Sequence, residues 1–442
     1  MASTYLTRTP SSAGNRQKWT WSAWIKLGAL GTDRNLFGAY AHSADNLKIN
    51  IADTDQVSIR FYNNTEYQLG LNRVFRDTSA WYHLVFAVDT TLASGGDRFK
   101  IYVNGVRETS FAAANDPTQN LQMTINEATA TQIGRFNTGS YFDGSMSHIN
   151  FIDGTAYDAS YFGSTDATTG EWKINTSPSV TYGNNGFFIL KDGNSVTDQS
   201  GEGNNWTVGG GTLTKTEDCP SNVFATLNAL AKPGAGNLPS FGNGNTHYNK
   251  TATGAGNNSM IVATLGATTG KFYYEYKMND SNAFIAGIST LDNTYYDANG
   301  GSMNTASGVG VAYQSSGNKI INGTSTTYGN SYGSGNIVGV AFDLVNNVIY
   351  FSKDGVWQNS GDPTSGSSGT GGIGIATTGI TYSPFAQNNG YNSPSSVYYN
   401  FGNGYFGTTA VASAGTNASG NGIFEYDVPT GYTALSTKGL NL

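Results

Sequence analysis

Short segments in which apolar and polar residues alternate, many of them next to a turn-forming pair, run through most of the chain. In the segment KWTWSAWIKL (18–27), one set of alternate positions is entirely apolar: Trp19, Trp21, Ala23, Ile25 and Leu27. Successive side chains of a β-strand point to opposite faces, so this pattern predicts a strand with one core face. The segment FKIYVNGVRE (99–108) alternates in the same way and then turns at Asn-Gly, a pair typical of β-hairpins. The alternation therefore predicts an all-β fold.

Composition narrows the class of protein further. Charged residues make up only 12% of the 442 residues, whereas Gly, Tyr and Phe are abundant, as is typical of β-sheets joined by many turns. The net charge of -7 argues against a nucleic-acid partner, because phosphates require a basic surface. There is no apolar run of roughly 18 residues, so we expect no membrane insertion. The single cysteine, Cys219, excludes a disulfide framework, and the first residues predict no secretory signal.

The strand-like segments of the first part occur in a recognisable order. WTWSAWIK is followed by WYHLVFAVD, then by FKIYVNGV and finally by YFDGSMSHINFIDGTAYD. In this order they resemble the concanavalin A-like (laminin G-like) jelly roll, which implies a β-sandwich over residues 1–175. Residues 176–220 are interpreted as a linker or as a segment that closes the first domain.

The second part has its own set of segments. TTGKFYYEYKM is followed by AFIAGIST, by the hairpin NIVGVAFDLVNNVIYFSKDGVW and by SVYYNFGNGYF. This order resembles the SPRY (B30.2-type) β-sandwich, which implies a second sandwich over residues 221–405. Residues 406–442 are interpreted as a C-terminal appendage. The two resemblances together predict two β-sandwich (jelly-roll-type) domains in tandem.

The chain as a whole, including TEDCPSNVFATLNAL and PTGYTAL, resembles virion structural proteins of marine tailed bacteriophages. This resemblance implies a virion surface protein, assembled in the host cytoplasm, that binds host-surface glycan as part of a tail fibre, spike or capsid appendage. The expected partners are other virion proteins of the capsid or tail, host-surface polysaccharide and further copies of the chain itself. Two alternatives stay open: a capsid decoration protein that binds only virion subunits, and a polysaccharide depolymerase.

A search for catalytic residues gives a negative prediction. Glycoside hydrolases need two carboxylates about 5–9.5 Å apart, and alternate acidic residues on one strand supply such a pair. Glu275 instead has Tyr273 and Lys277 as its neighbours on the same strand face. The four histidines are scattered, and no G-x-S-x-G motif lies between a strand and a helix. The sequence therefore predicts a binding protein and not an enzyme.

One loop has two interpretations, and the first is that it binds Ca²⁺. Jelly-roll lectins often hold Ca²⁺ near their rim through Asp and Asn side chains. Asp192, Asp198 and Asn205 in KDGNSVTDQSGEGNN are of the right type for a Ca²⁺ site. The alternative is that such residues only shape turns, because Asp-Gly and Asn-Gly tolerate positive φ.

Aromatic residues on polar faces and in loops are the candidates for recognition. Trp24 lies on the polar face of its strand, where it would either stack on a sugar ring or be covered by a crossing segment such as 170–179. Five tyrosines lie in loops rich in Asn, Gly and Ser, a mixture typical of adaptable binding surfaces: Tyr295, Tyr296, Tyr328, Tyr332 and Tyr391. The alternative for these tyrosines is an ordinary role in loop structure. Packing under the crossing segment is the favoured interpretation of Trp24, and these six residues together are the candidates for glycan or partner binding.

Overall fold

The alternating segments form β-strands in the structure, which is a computed structural model. The structure describes residues 3–191, 193–231, 239–251, 260–290, 310–321, 323–376, 379–388 and 394–441. Within these ranges the helices are single 3-10 turns: Gly95–Asp97, Ala159–Tyr161, Gln358–Ser360, Gly366–Ser368 and Gly439–Asn441. None of the helices in the described ranges has the length and apolar character needed to span a bilayer. The prediction of an all-β fold is confirmed.

The chain divides into an N-terminal unit, Met1–Lys215, and a C-terminal unit, Thr216–Leu442. The strands of the N-terminal unit are β1 (Tyr5–Arg8), β2 (Lys18–Leu27), β3 (Arg34–His42), β4 (Asp45–Ile51), β5 (Gln56–Asn63), β6 (Glu66–Val74), β7 (Trp81–Asp89), β8 (Phe99–Val103), β9 (Val106–Arg107), β10 (Phe111–Asn115), β11 (Thr131–Ile133), β12 (Gly144–Asp153), β13 (Gly163–Thr165), β14 (Trp172–Ile174), β15 (Phe187–Ile189) and β16 (Thr207–Gly210).

Two sheets of the N-terminal unit enclose its core. Sheet A has the strand order β10-β6-β5-β4-β3-β11-β1-β16, and sheet B has the order β15-β12-β2-β7-β8-β9. Trp21 of sheet B stacks on Phe37 of sheet A with ring centroids 5.8 Å apart, as expected for sheets that pack face to face. The segment 176–220, for which the sequence left two interpretations open, supplies β15 and β16 to these sheets.

The opposite side of sheet B is covered by the segment that follows β12. Ala159, Phe162 and Tyr182 pack there against Val85 and Ile152 in a second, smaller apolar cluster. This covering explains why both faces of β2 are buried, although its sequence alternates between apolar and polar residues.

The strands of the C-terminal unit are β17 (Ser240–Gly242), β18 (His247–Lys250), β19 (Met260–Val262), β20 (Lys271–Met278), β21 (Phe284–Thr290), β22 (Gly310–Gln314), β23 (Asn318–Ile321), β24 (Thr324–Thr327), β25 (Ile337–Asp343), β26 (Val348–Lys353), β27 (Val356–Trp357), β28 (Ile373–Gly374), β29 (Tyr382–Asn388), β30 (Ser395–Asn400), β31 (Tyr405–Phe406), β32 (Thr409–Ala410) and β33 (Thr433–Ala434).

The C-terminal unit is a second sandwich. Sheet C has the order β17-β18-β30-β20-β25-β26-β27, with β28 paired to β26 and β33 paired to β20, and sheet D has the order β19-β29-β21-β22-β23-β24. Tyr276 of sheet C lies 6.0 Å from Phe284 of sheet D, measured between ring centroids. The Tyr274 hydroxyl donates a hydrogen bond of 2.8 Å to the Gly287 carbonyl, also from sheet C to sheet D.

The chain after β32 covers the outer side of sheet C. Phe424, Val428 and Tyr432 pack there with Tyr273 and Tyr350 in one buried cluster. Strand β33 pairs with β20 in parallel. The residues interpreted from sequence as a C-terminal appendage thus complete the C-terminal sandwich.

Candidate functional site

Strands β3, β4, β5 and β6 place three rows of side chains on the side of sheet A that faces away from the core. Cross-strand pairing aligns the first row, which consists of Tyr40, Asn46, Tyr62 and Glu66. The second row consists of Gly38, Lys48, Arg60 and Gln68, and the third consists of Asn50, Ser58 and Gly70. We call these three rows the platform. Because neighbouring strands lie about 4.8 Å apart, four strands give the first and second rows a length of roughly 14 Å, enough for a short oligosaccharide.

The alternation within β4 and β5 decides which side chains reach the platform. Leu47 and Ile49 of β4, and Ile59 and Phe61 of β5, are completely buried in the core between the two sheets. The residues between them point to the other side of sheet A. There Tyr62 keeps 39% of its surface exposed.

The platform has aromatic rings in two places: Tyr62 lies on β5 near its middle, and Tyr40 lies on β3 at one end, beside Phe136. The Tyr40 ring meets Phe136 edge-on, with centroids 5.6 Å apart, and the Lys48 ammonium lies 5.7 Å from the centroid of the Phe136 ring. Gly38 makes room for this arrangement, since a Cβ atom there would lie 2.7 Å from the Leu47 carbonyl oxygen and 3.2 Å from the Phe136 ring. The platform thus combines ring faces with polar groups.

Both cations of the platform have an acidic partner. Arg60 Nε donates to Glu66 Oε1 at 2.8 Å, and Lys48 Nζ lies 3.5 Å from Asp33 Oδ2. Burial opposes the ionisation of Asp33, but hydrogen bonds from a serine hydroxyl, Asn50 and Lys48 outweigh it and lower the pKa of this carboxyl. The charges on this face of sheet A are therefore balanced in pairs.

A shallow pocket of about 260 Å³ opens on the platform. Its lining consists of Ser43, Asn46, Lys48, Arg60, Phe61, Tyr62 and Glu66. It offers an exposed aromatic ring beside amide, guanidinium, hydroxyl and carboxylate groups. Such a mixture binds a polyhydroxylated ring, because the C–H face of the ring packs on the aromatic group and the polar groups bond the hydroxyls.

Trp24, predicted as a binding residue, is only 5% exposed. Its indole stacks on the His83 ring with centroids 5.0 Å apart. Trp172, from the segment that the sequence offered as a cover, donates its Nε1–H to His83 Nδ1 at 2.9 Å, and the Ser22 hydroxyl lies 2.9 Å from His83 Nε2. Burial, with a smaller contribution from His148, lowers the pKa of His83 to about 3. Trp24 is thus packed beneath the segment 170–179, and its candidacy as a binding residue is corrected, because a packed indole presents no face to a ligand.

The loop tyrosines of the C-terminal unit require a similar correction. Tyr328 and Tyr332 are buried in the core between sheets C and D. The Tyr332 hydroxyl donates to the Tyr313 carbonyl at 2.9 Å and accepts from the Tyr276 hydroxyl at 2.9 Å. Neither ring is available to a ligand. The remaining three predicted tyrosines lie outside the described residues: Tyr295, Tyr296 and Tyr391.

Two of the predicted Ca²⁺ ligands, Asp198 and Asn205, hold a loop together through hydrogen bonds. Asp198 Oδ1 accepts from two backbone N–H groups, and its Oδ2 accepts from the Ser200 hydroxyl and from the Asn204 N–H, each at 2.8 Å. Asn205 Oδ1 accepts from the Asp198 N–H at 2.8 Å. These oxygens are engaged by hydrogen-bond donors within the loop, and Ca²⁺ binding by these two residues stays a prediction. Asp192 lies outside the described residues, and within the described ranges no three or more His, Cys, Asp or Glu side chains form a group that could hold a metal.

Glu275, the carboxylate that has no acidic neighbour on its strand face, is completely buried. Its carboxylate accepts from the backbone N–H groups of Glu425 and Tyr426 at 2.9 Å, from the Tyr273 hydroxyl at 3.0 Å and from Asn400 Nδ2 at 3.3 Å. Burial outweighs these hydrogen bonds and raises the pKa of Glu275 to about 7. This carboxyl group anchors the C-terminal segment to sheet C.

The platform residues were missed by the sequence analysis. The signal was present in NLKINI and QVSIRFYN, where polar residues and one tyrosine alternate with the aliphatic core positions. Which of the many polar strand faces stays uncovered, however, depends on the path of the chain after β12 and after β32.

Comparison with known protein families agrees with this geometry. Residues 2–160 match the family model described as the concanavalin A-like lectin/glucanases superfamily, and residues 271–371 match the SPRY domain model. The chain therefore carries a concanavalin A-like domain and a SPRY domain, and both are β-sandwiches. No curated protein is significantly similar to the chain in sequence.

Several solved protein structures are also similar to this chain. The SPRY domain of human HERC1 is 18% identical, with 35% of this chain and 87% of that chain covered and a TM-score of 0.28. The SAP-like pentraxin of Limulus polyphemus is 13% identical, with coverages of 48% and 91% and a TM-score of 0.29. Domains LG4-5 of the mouse laminin alpha1 chain are 8% identical, with coverages of 90% and 85% and a TM-score of 0.31.

Proposed function

We propose that the N-terminal unit binds carbohydrate through the platform on sheet A and does not cleave it. The observation that carries the proposal is the exposed Tyr62 ring beside the Arg60–Glu66 pair in an open pocket. The concanavalin A-like domain supports it, since the matching family is described by its lectins and glucanases. Single sites of this size bind weakly, and display of many copies would raise the overall affinity.

The carboxylates near the platform favour binding over hydrolysis. A glycosidase needs one carboxylic acid that keeps its proton near neutral pH, and this requires a raised pKa. Asp33 has a lowered pKa and accepts hydrogen bonds from three side chains. Glu66 pairs with Arg60. Release of reducing ends from a polysaccharide that the protein binds would contradict this part of the proposal.

The test compares two exposed tyrosines of the N-terminal unit. The full chain and its Tyr62→Ala variant are assayed by affinity gel electrophoresis in a panel of bacterial and algal polysaccharides. Loss of one stacking ring is expected to weaken binding about tenfold. Tyr161→Ala is the matched control, because Tyr161 is 42% exposed but does not belong to the platform. Equal retardation of all three proteins would show that the platform is not the binding site.

We also infer that the protein acts at the surface of a tailed-phage virion, attached to other virion proteins and present in several copies. This inference is supported by the resemblance of the whole chain to phage structural proteins, and the SPRY domain is the candidate for attachment. Antibody labelling of intact particles, with quantitation of copies per particle, tests it. Copy numbers that follow the capsid symmetry would favour the decoration alternative, and no labelling of purified particles would contradict the virion role.

A further inference from the structure

The charge pairing on the platform limits which sugars it can accept. Arg60 is paired with Glu66 and Lys48 with Asp33, so the two cations and the two anions balance. The pairs lie on the open face of sheet A, where a bound sugar would meet them directly. We propose that the platform selects uncharged, hydroxyl-rich sugars over uronic acids and sulfated sugars. The proposal rests on the proposed function, because it concerns the same site.

The Arg60–Glu66 pair is suited to a pair of neighbouring hydroxyl groups. Its side chains are 39% and 45% exposed, so each keeps hydrogen-bonding capacity beyond their mutual contact. The guanidinium has five N–H donors, and the carboxylate accepts several hydrogen bonds. A vicinal diol can accept from Arg60 and donate to Glu66 at the same time, and such charge-assisted bonds are the stronger kind. Asn46, in the same row as Glu66, adds the neutral acceptor Oδ1, because its amide nitrogen donates to the carbonyls of His42 and Ser43.

An anionic sugar meets unfavourable conditions at the same place. Its carboxylate or sulfate would have to displace Glu66 from Arg60, or Asp33 from Lys48, to gain a cation. It would then lie close to the displaced carboxylate, and two like charges at such a distance repel each other. The hydrogen bonds that Asp33 accepts from Asn50 and from the Ser140 hydroxyl hold that carboxylate in position. A neutral ring avoids both costs.

Neutral and charged forms of one polysaccharide backbone provide the test. The full chain is assayed with hydroxyethyl cellulose against carboxymethyl cellulose, dextran against dextran sulfate, and methyl-esterified polygalacturonate against polygalacturonate. In every pair in which binding occurs, we expect the neutral member to bind at least about tenfold more tightly. We also expect its affinity to change little between low and high salt, because no net charge is neutralised.

The variant Glu66→Gln separates the charge effect from simple loss of contact. It keeps the size of the side chain but leaves Arg60 without its anion. The expected result is weaker binding of the neutral polysaccharide and new, salt-sensitive binding of its charged counterpart. The melting temperature of the variant should stay close to that of the wild type, because an exposed ion pair contributes little to stability.

The outcomes separate this inference from the proposed function. Salt-sensitive binding of charged members by the wild-type chain, lost in Tyr62→Ala, would overturn the selectivity but leave the platform as the glycan site. Equal affinity for both members of a pair would overturn the selectivity as well. Absence of binding to every polysaccharide in the panel would remove the proposed function and this inference with it.

Discussion

The outer sides of sheet A and sheet C differ in whether other parts of the chain cover them. On sheet A the first row of the platform stays open, with Tyr62 exposed, and the charges of the platform are balanced in pairs. On sheet C the corresponding side is covered by the C-terminal segment, which buries Phe424 and Tyr432. A single carboxyl group, that of Glu275, accepts two backbone hydrogen bonds from the covering segment.

This difference shows that a sandwich face is made available for binding only where the rest of the chain leaves it uncovered. A covered face contributes to stability and contains apolar side chains, whereas an open face must be soluble and contains polar ones. Substitutions on the covered face of sheet C should therefore change the stability of the C-terminal unit. Substitutions on the open face of sheet A should instead change the affinity for a ligand.

Removal of residues 411–442 should have the largest effect. The truncation exposes the outer side of sheet C and deletes Ala434 together with four larger buried apolar side chains: Phe424, Val428, Tyr432 and Leu435. At about 1.5–3 kcal/mol for each side chain, the loss is roughly 6–12 kcal/mol, comparable with the whole stability of a domain. Calorimetry of the full chain and the truncated chain should show that the unfolding transition of the C-terminal unit disappears. A C-terminal transition at an unchanged temperature would contradict the view that the segment is part of the fold.

Substitution of Glu275 by Ala should have the next largest effect. It leaves two backbone N–H groups, the Tyr273 hydroxyl and the Asn400 amide without their acceptor in a dry environment. We expect a loss of about 3–5 kcal/mol, and faster hydrogen exchange in residues 424–426. Glu425→Gln, in the same segment but partly exposed, is the control and should change stability little. Unchanged exchange in Glu275→Ala would contradict the anchoring role.

The same carboxyl group should make the C-terminal unit less stable at high pH. Its pKa rises from 4.5 in the unfolded chain to about 7 in the fold, so folding favours the protonated form. The stability that this preference provides is complete below pH 4.5 and is lost as pH rises through about 7, a difference of about 3 kcal/mol. Denaturant titrations at several pH values measure it. Glu275→Gln cannot titrate, so its stability should lack this dependence on pH.

The N-terminal unit should respond to pH in the opposite direction. The pKa of His83 falls from 6.5 in the unfolded chain to about 3 in the fold, so folding favours the neutral ring that accepts from Trp172. Stability is therefore complete above pH 6.5 and is lost as pH falls toward about 3, with a cost of about 2 kcal/mol at a pH of about 5. Acid titration of the wild type and of His83→Gln measures the difference. An identical slope in both proteins would contradict the assignment to His83.

Much of the fold could be predicted because alternation is a local property. The residues Trp19 to Leu27 show their core face in the sequence itself, and the structure buries every one of those alternate positions. The packing of Trp24 could not be derived in this way. It depends on two residues that are distant in sequence: His83, which lies on the neighbouring strand, and Trp172, which covers it.

The candidate site was harder to predict than the fold for the same reason. Tyr328 and Tyr332 lie in a segment whose Asn, Gly and Ser residues are typical of exposed loops, yet their hydroxyls find partners inside the core. Tyr62 and Glu66 lie on the two strands of one hairpin, and the strand register places them opposite each other. Composition describes a segment, but exposure is decided by what packs on it.

The double substitution Arg60→Ala and Glu66→Ala should have the smallest effect on stability. Both side chains are more than one-third exposed, and exposed ion pairs contribute about 0–1 kcal/mol. We expect the unfolding free energy of the N-terminal unit to change by about 0.5 kcal/mol or less, while binding of a neutral polysaccharide is lost. Arg107→Ala with Asp97→Ala removes a pair of similar exposure outside the platform and should leave binding intact. A large loss of stability in the first double variant would show that the open face of sheet A is maintained for folding, as the covered face of sheet C is.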